Sequence, residues 1–337
     1  MDFITGATGI VGRELVFQLI SAGHTVKALY RNNSDVTSVE NLITSRGLSL
    51  DRLTWVEGEL NDTQSLESSL KGCTRVFHVA ALVSFHPLDE ASLLKTNVEG
   101  TKNIVNAMLH KDVKTLVYVS SVAALGRQEN KIVDEETPFE DGIGETAYSR
   151  SKYLAELEVW RGQEEGLSVA VVNPSIIIGA GDFTRSSAEL FPQIHAGLSF
   201  YPTGSSGYVS SSDVAKACVL LADKNVRGER VLLNSENRSY KSLMCEIAIA
   251  LNVKPPFRAV KPWMSSFAWR AFWLIEKLTG KRALATKSSL KMSRSMIVYD
   301  GSKIERVLAL EGVKWEYEPV NKAISRTAES YLASISS

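Results

Sequence analysis

Residues 2–12, "DFITGATGIVG", decide how the rest of the chain is read. A short apolar run, "DFIT", ends in a turn with glycines at positions 6, 9 and 12. That turn opens directly into "GIVGRELVFQLISAG" (9–23), whose apolar residues recur at helical spacing. A glycine triplet alone is a weak signal. Strand, glycine turn, amphipathic helix and a further strand together form the context that a dinucleotide-binding turn requires. In that context Gly6 permits the tight turn, Gly9 lets backbone approach a pyrophosphate, and Gly12 lets the helix pack closely on the sheet. The free N–H groups and the helix dipole then favour phosphate, with Thr8, Ile10 and Val11 in the same turn. The alternative is a glycine-rich turn in an α/β protein that binds no nucleotide.

Outward from this stretch the first half alternates. Strands are expected at "TVKALYR" (25–31), "LTWVEGEL" (53–60), "RVFHVAA" (75–81), "KTLVYVSS" (114–121) and "LSVAVVNPS" (167–175). Helices are expected at "DTQSLESSLKG" (62–72), with Asp62 as N-cap, at "LLKTNVEGTKNIVNAMLHK" (93–111) and at "SRSKYLAELEVWRGQEEG" (149–166). Apolar strands alternating with helices argue a parallel sheet covered on both faces, with right-handed crossovers. After Pro174 the regularity fades. The segment 209–223 reads as loop then helix with Asp213 as a candidate cap, "ERVLLN" (229–234) as a strand, and 261–278 as a helix rich in aromatics. The expected fold is therefore α/β: a Rossmann-type doubly wound parallel sheet with a smaller C-terminal α+β substrate domain. Residues 1–173 form the first domain, 203–223 return to it, and 174–337 form the substrate-binding lid.

Composition narrows the function. The 337 residues are 44% hydrophobic and 23% charged, and 38 basic residues balance 38 acidic ones. Zero net charge gives no support for nucleic-acid or anionic-membrane binding. Cys73, Cys218 and Cys245 lie far apart and follow no metal spacing, so no metal site is expected and reduced thiols in a cytoplasmic protein are. The N-terminus has no basic segment followed by an apolar one, and no apolar run is long enough to span a membrane.

The glycines are spaced Gly-x-x-Gly-x-x-Gly, and "SSVAALG" (120–126), "YSRSK" (148–152) and "NPSIIIGAGD" (173–182) follow. This combination resembles the extended short-chain dehydrogenase/reductase superfamily (the NAD-dependent epimerase/dehydratase family), over most of the chain and most densely up to about residue 220. The resemblance implies a catalytic set of Ser121, Tyr148 and Lys152. Ser121 would orient the substrate oxygen and Tyr148 would give it a proton. A free phenol has a pKa near ~10, and a nearby ammonium lowers it. Lys152 lies four residues on, hence on the same helix face, and could also reach the nicotinamide ribose. Asn97 matches a position that relatives use to shape the helix and hold a relay water; a polar side chain bonded to backbone is the equal alternative. Ala80 and Ala81 match a segment passing under the cofactor. Ser120 matches the backbone-near neighbour of the active serine. Pro174 and Ser175 match the turn over the nicotinamide amide. Glu59, with Leu60, stands where relatives have an aspartate touching adenine.

Cofactor and substrate classes follow from departures. An NAD site usually has an acid at the end of the second strand. Tyr30 stands there and Arg31 follows, a residue suited to pair with a 2′-phosphate. NADP(H) is therefore favoured, with NAD(H) possible. Val122 and Ala123 follow Ser121 where dehydratases carry an acidic pair, which argues against dehydration. Ile176 and Ser206 stand where nucleotide-sugar epimerases carry an Asn and a diphosphate-binding Arg. Gly126 replaces the flavonoid-contacting Asn of plant dihydroflavonol reductases. The chain thus resembles the dihydroflavonol-4-reductase-like and 3β-hydroxysteroid-dehydrogenase-like branch. The implied activity is hydride transfer between a nicotinamide and a small ketone or secondary alcohol. A nucleotide-sugar epimerase and a non-catalytic NAD(P)-binding sensor are the alternatives. His86 is expected to rim the pocket, and His195 falls in the lid as a surface or core histidine. The resemblance implies a homodimer through the helix that contains Tyr148. For the aromatic helix, core and subunit packing rank above a pocket wall, and membrane-surface contact ranks last.

Overall fold

The computed structural model describes residues 1–127, 131–140, 146–261, 263–264, 290 and 292–336. The strands are β1 (Asp2–Thr5), β2 (Val26–Tyr30), β3 (Leu53–Glu57), β4 (Arg75–His78), β5 (Thr115–Val119), β6 (Ile132–Val133), β7 (Ser168–Pro174), β8 (Ile176–Ile178), β9 (Phe200–Tyr201), β10 (Ser205–Ser210), β11 (Glu229–Leu233), β12 (Glu236–Ser239), β13 (Arg258–Ala259) and β14 (Val298–Tyr299). The helices are α1 (Ile10–Ser21), α2 (Thr37–Ser45), α3 (Thr63–Ser69), α4 (Glu90–Leu93), α5 (Gly100–His110), α6 (Ala147–Glu164), α7 (Leu190–His195), α8 (Ser211–Asp223), α9 (Tyr240–Ala250), α10 (Lys303–Leu310) and α11 (Val320–Ser336).

Seven strands form one parallel sheet in the order β3-β2-β1-β4-β5-β7-β11. The direction in which successive strands are added reverses between β1 and β4, which makes their carboxyl ends the topological switch point where such sheets hold ligands. Period-2 alternation sorts the strand residues into two cores. Ile4, Ala28, Phe77, Val117, Val119, Ala170 and Val172 face α1, α8 and α10. Phe3, Val76, Leu116, Tyr118, Val169 and Val171 face α3, α5 and α6. Helices cover both faces, so the central strands carry apolar residues on each.

Of the expected 203–223, α8 packs on the sheet while β10 pairs elsewhere, and later segments join the sheet as well. The strand β11 is its seventh member, and Ile304, Leu308 and Trp315 join the core under α8. A smaller body is built from β8, β10 and β12 with α7, α9 and α11, around Phe191, Ile194, Tyr208, Ile247 and Ile324.

Local start signals act as elementary chemistry dictates. Asp62 caps α3, accepting from the Ser65 N–H at 3.0 Å. At α8 the cap is Ser210, whose hydroxyl accepts from the Asp213 N–H at 2.9 Å, so the expectation that Asp213 caps is corrected. Asp213 sits inside the first turn and accepts instead from the Glu318 N–H at 2.9 Å. Burial raises its carboxyl to about 6. Before β5, two elements depart from the sequence reading. The helix α2 was not expected, and the segment before α5 runs as a wide π turn over Leu94–Glu99. Among the described residues no helix is long and apolar enough to cross a membrane, and no cluster of His, Cys, Asp or Glu could hold a metal ion.

Candidate active site

The glycine turn is set by close backbone packing. Gly6 has φ +71°, and a Cβ there would lie 2.7 Å from both Cα and N of Ala80. Only glycine meets both demands without strain. A Cβ on Gly12 would lie 2.0 Å from the Gly6 carbonyl oxygen and 2.8 Å from the Ala7 Cα. Its closest approach is therefore to the turn itself, whereas the sequence reading gave it a role in packing against the sheet. Gly9 is the N-cap of α1 and supplies no side-chain acceptor, so the first-turn N–H groups are left for another partner. Gly179 and Gly181 come down on Ile10 at the start of that helix, where a Cβ on either would come within 3.0 Å of it. The glycine cradle, the helix start without a side-chain cap and the buried, unpartnered Ser175 hydroxyl fit a dinucleotide.

The loop after β4 links this turn to Tyr148. Ala80 touches Gly6 and donates its N–H to Thr5 Oγ1 at 3.2 Å; two residues on, Leu82 packs with Tyr148, Leu93 and Ala123. Asn97 holds that loop. Its amide accepts from the Leu82 N–H at 2.7 Å and donates to the Leu82 carbonyl at 3.0 Å and to Ser151 Oγ at 2.9 Å. These contacts tie the loop to α6. His86 caps a short turn, its ring nitrogen accepting from the Leu88 N–H at 3.3 Å. His195 contacts the Tyr331 hydroxyl at 3.2 Å in the smaller body.

Tyr148 lies in the first turn of α6, whose start is fixed by a reciprocal cap. Thr146 Oγ1 accepts from the Ser149 N–H at 3.0 Å, and Ser149 Oγ accepts from the Thr146 N–H at 2.7 Å. Ser121, just past β5, stands beside the Tyr148 hydroxyl. Burial raises the Tyr148 phenol above its ordinary value, and Ser121 opposes that rise. The Phe85 ring meets the Tyr148 ring edge-on, with centroids 5.6 Å apart.

Lys152 departs from the sequence expectation. Its ammonium donates to Tyr118 Oη and to the Val119 carbonyl, each at 2.9 Å, and it sits 4.6 Å from the Tyr118 ring centroid. Ser121, not Lys152, is the group opposing burial at Tyr148. The physical reason is reach. Four-residue spacing puts Lys152 on the Tyr148 face, but its long side chain runs under the helix to the strand floor. Burial pushes Lys152 down to about 7, and Glu156 pulls it back up. Behind Tyr118, His78 bridges Thr101 Oγ1 at 2.9 Å and Thr5 Oγ1 at 2.7 Å, and burial followed by the Lys152 charge drops it to about 3.

The remaining expected residues lie where the strands end. Ser120 turns its hydroxyl inward to Glu156 Oε2 at 2.7 Å. Ala81 and Glu59 are exposed, and Leu60 accepts from Asn103 Nδ2 through its carbonyl at 3.0 Å. Pro174 closes β7 beside Leu233, and the Ser175 N–H donates to the Leu233 carbonyl at 3.0 Å. Arg31 is exposed just after β2 in a turn closed by Ser34. Of the aromatic segment 261–278, only Lys261, Trp263 and Met264 are among the described residues. Sequence reasoning missed Tyr118, Glu156 and His78. Strand alternation was the signal for Tyr118, because it shares a face of β5 with Ser120.

Comparison with known proteins agrees with this geometry. The model of the NAD dependent epimerase/dehydratase family matches residues 3–233. A protein of Synechocystis sp., provisionally named dihydroflavonol 4-reductase, is 32% identical over 318 residues, covering 91% of this chain and 89% of its own. Sterol demethylase protein B of Methylococcus capsulatus is 33% identical over 239 residues, 69% of each chain. The crystal structure of gox2253 superposes with a TM-score of 0.82 at 29% identity, covering 99% of this chain and 98% of that one. The chain belongs to the NAD dependent epimerase/dehydratase family, within the extended short-chain dehydrogenase/reductases.

Proposed function

We propose that the protein is an NADP(H)-dependent oxidoreductase that transfers hydride between the nicotinamide and a ketone or secondary alcohol. The observation that carries the reading is the buried Tyr148 hydroxyl beside Ser121 at the sheet's carboxyl edge, one short loop away from the Gly6 cradle. The residues that would hold the cofactor are Gly6, Thr8, Gly9, Ile10, Val11, Gly12, Arg31, Glu59, Leu60, Ala80, Ala81, Pro174 and Ser175, with Tyr148 and Lys152 at its nicotinamide end. When bound, the nicotinamide supplies or accepts the hydride.

The chain's own part is proton control. Burial keeps the Tyr148 phenol protonated, so it is a donor to a carbonyl oxygen, and Ser121 shares that oxygen's hydrogen bonds. Arg31 and the missing acid at Tyr30 favour the 2′-phosphate of NADP(H). Phe85 stacked edge-on against Tyr148, beside exposed Val83 and Leu88, favours a substrate with an apolar body next to its carbonyl. The epimerase reading is weaker. Ser206 occupies the diphosphate-binding position, and its register partner Arg238 is tied to Glu236 and Glu246. A homodimer through α6 belongs to the same proposal, supported by Leu157, which stands 46% exposed on that helix.

The test is NADPH oxidation across a panel of ketones, with wild type and Tyr148→Phe compared. Turnover that the variant loses supports the reading. Tight NADPH binding without turnover on any carbonyl would favour a sensor, and interconversion of a UDP-sugar would favour the epimerase.

A further inference from the structure

Among the buried carboxylates that the reaction as read above leaves unused, Glu156 is the one beside Lys152. Glu156 lies four residues beyond Lys152 on α6 and is 2% exposed. Its Oε2 accepts from Ser120 Oγ at 2.7 Å and from Asn173 Nδ2 at 3.0 Å. Its Oε1 accepts from Arg230 Nη2 at 2.6 Å and from Trp160 Nε1 at 3.4 Å. Asn173 Nδ2 also donates to the Ser121 carbonyl at 3.0 Å. The carboxylate therefore ties α6 to β5, β7 and β11 just where β5 ends in Ser121. Packing alone does not call for such a group, since apolar residues of similar volume anchor a helix to a sheet at no greater cost.

The charge has a destination. Lys152 is faced by Tyr118 and the Val119 carbonyl from β5 and by His78 from β4. Its own helix contributes Tyr148 and Glu156. Burial holds both tyrosines protonated and His78 uncharged near neutral pH. Among these groups Glu156 is the anion, and it is the one that offsets the burial of Lys152.

We propose that Glu156 is a positioning residue: its charge keeps Lys152 an ammonium, and its hydrogen bonds fix the Ser121 end of β5. The catalytic half of this statement rests on the oxidoreductase reading; the effect on Lys152 does not. The experiment is an NMR titration of the Lys152 side chain in protein carrying ¹³Cε-labelled lysine, assigned with Lys152→Arg, alongside the pH profile of kcat/KM. Glu156→Gln should move the Lys152 midpoint down by about one pH unit, with the alkaline limb of kcat/KM following it. Glu156→Asp keeps the charge and should titrate near wild type although its contacts are disturbed. If Glu156→Gln does not fold, the double variant Glu156→Gln/Arg230→Met removes both partners and still carries a downward shift, smaller because a positive charge is lost with the negative one. An unmoved midpoint, or an equal shift in Glu156→Asp, overturns the proposal. Absence of turnover in wild type would sink the oxidoreductase reading while leaving the titration to decide the role of Glu156.

Discussion

Replacing Gly12 with alanine separates a backbone contact from every side-chain effect in the cofactor turn. The added Cβ would sit 2.0 Å from the Gly6 carbonyl oxygen, 2.7 Å from its carbon and 2.8 Å from the Ala7 Cα. All three neighbours are backbone atoms, so no flexible side chain can give way. Ordinary contact begins near 3.4 Å, which asks the start of α1 to retreat by about 1.4 Å. Overpacking of this kind costs ~1–3 kcal/mol, and the backbone clash belongs at the upper end. Alanine in a helix returns ~1 kcal/mol relative to glycine, leaving a net loss of ~2 kcal/mol. The retreat also carries the first-turn N–H groups away from a bound pyrophosphate, and misplacement of about 1 Å is worth roughly 10²-fold. Urea unfolding measures the first quantity, and NADPH titration by fluorescence the second. Gly72→Ala is the control. Its φ is +79° with nothing within 4 Å of the new Cβ, so it should cost ~1–2 kcal/mol and leave NADPH affinity alone. A Gly12→Ala protein with wild-type unfolding midpoint and wild-type NADPH affinity would refute the argument.

Three further outcomes follow from other parts of the site. Ser121→Ala removes the one group that opposes burial at Tyr148, so kcat should drop ~10²-fold or more with NADPH affinity retained; an unchanged kcat would rule out a proton-donor role for the pair. Arg31→Ala should weaken NADPH at least ~10-fold, about 1.4 kcal/mol, while NADH affinity stays put; equal losses for both cofactors would remove Arg31 from the 2′-phosphate. His78 titrates at about 3 in the folded protein against an ordinary 6.5. Between those values the unfolded chain binds more protons, so the stability it contributes is present above pH 6.5 and lost as pH falls toward 3, with a slope of up to ~1.4 kcal/mol per pH unit. Urea midpoints from pH 7 to 4 should fall less steeply in His78→Asn than in wild type.

The parallel sheet was legible because each of its strands in the first half is an apolar run between helical patterns, and the Asp62 cap was legible from its position. What escaped the sequence was set by tertiary neighbours. The helix α2 buries only Val39 and Ile43 on a polar segment, too narrow a stripe to declare itself. Ser210 outcompeted Asp213 as a cap because the helix begins one residue after Ser210, a boundary that a run of three serines does not mark. Within the site, Ser121, Tyr148 and Lys152 were legible through the family resemblance that "SSVAALG" and "YSRSK" carry. Spacing could not say where the Lys152 ammonium points. Tyr118, the Val119 carbonyl and His78 reach it from two other strands, and only the strand order brings them together.

Residues 148, 152 and 156 descend one face of α6 at four-residue intervals, and each meets the sheet at a different depth. Tyr148 meets Ser121 at the rim, Lys152 meets Tyr118 and Val119 below it, and Glu156 meets Ser120, Asn173 and Arg230 across three strands. A slip of α6 along the sheet would break all three sets at once, so the geometry of the candidate site is a matter of helix-to-strand register. The register is held from both ends. The reciprocal Thr146–Ser149 cap fixes where α6 begins, and the Asn97–Ser151 bond ties its first turns to the loop that touches the glycine cradle. Glu156 fixes the lower end with a charge rather than with apolar packing. One buried carboxylate thereby sets both the height of the helix and the electrostatic field on the lysine above it.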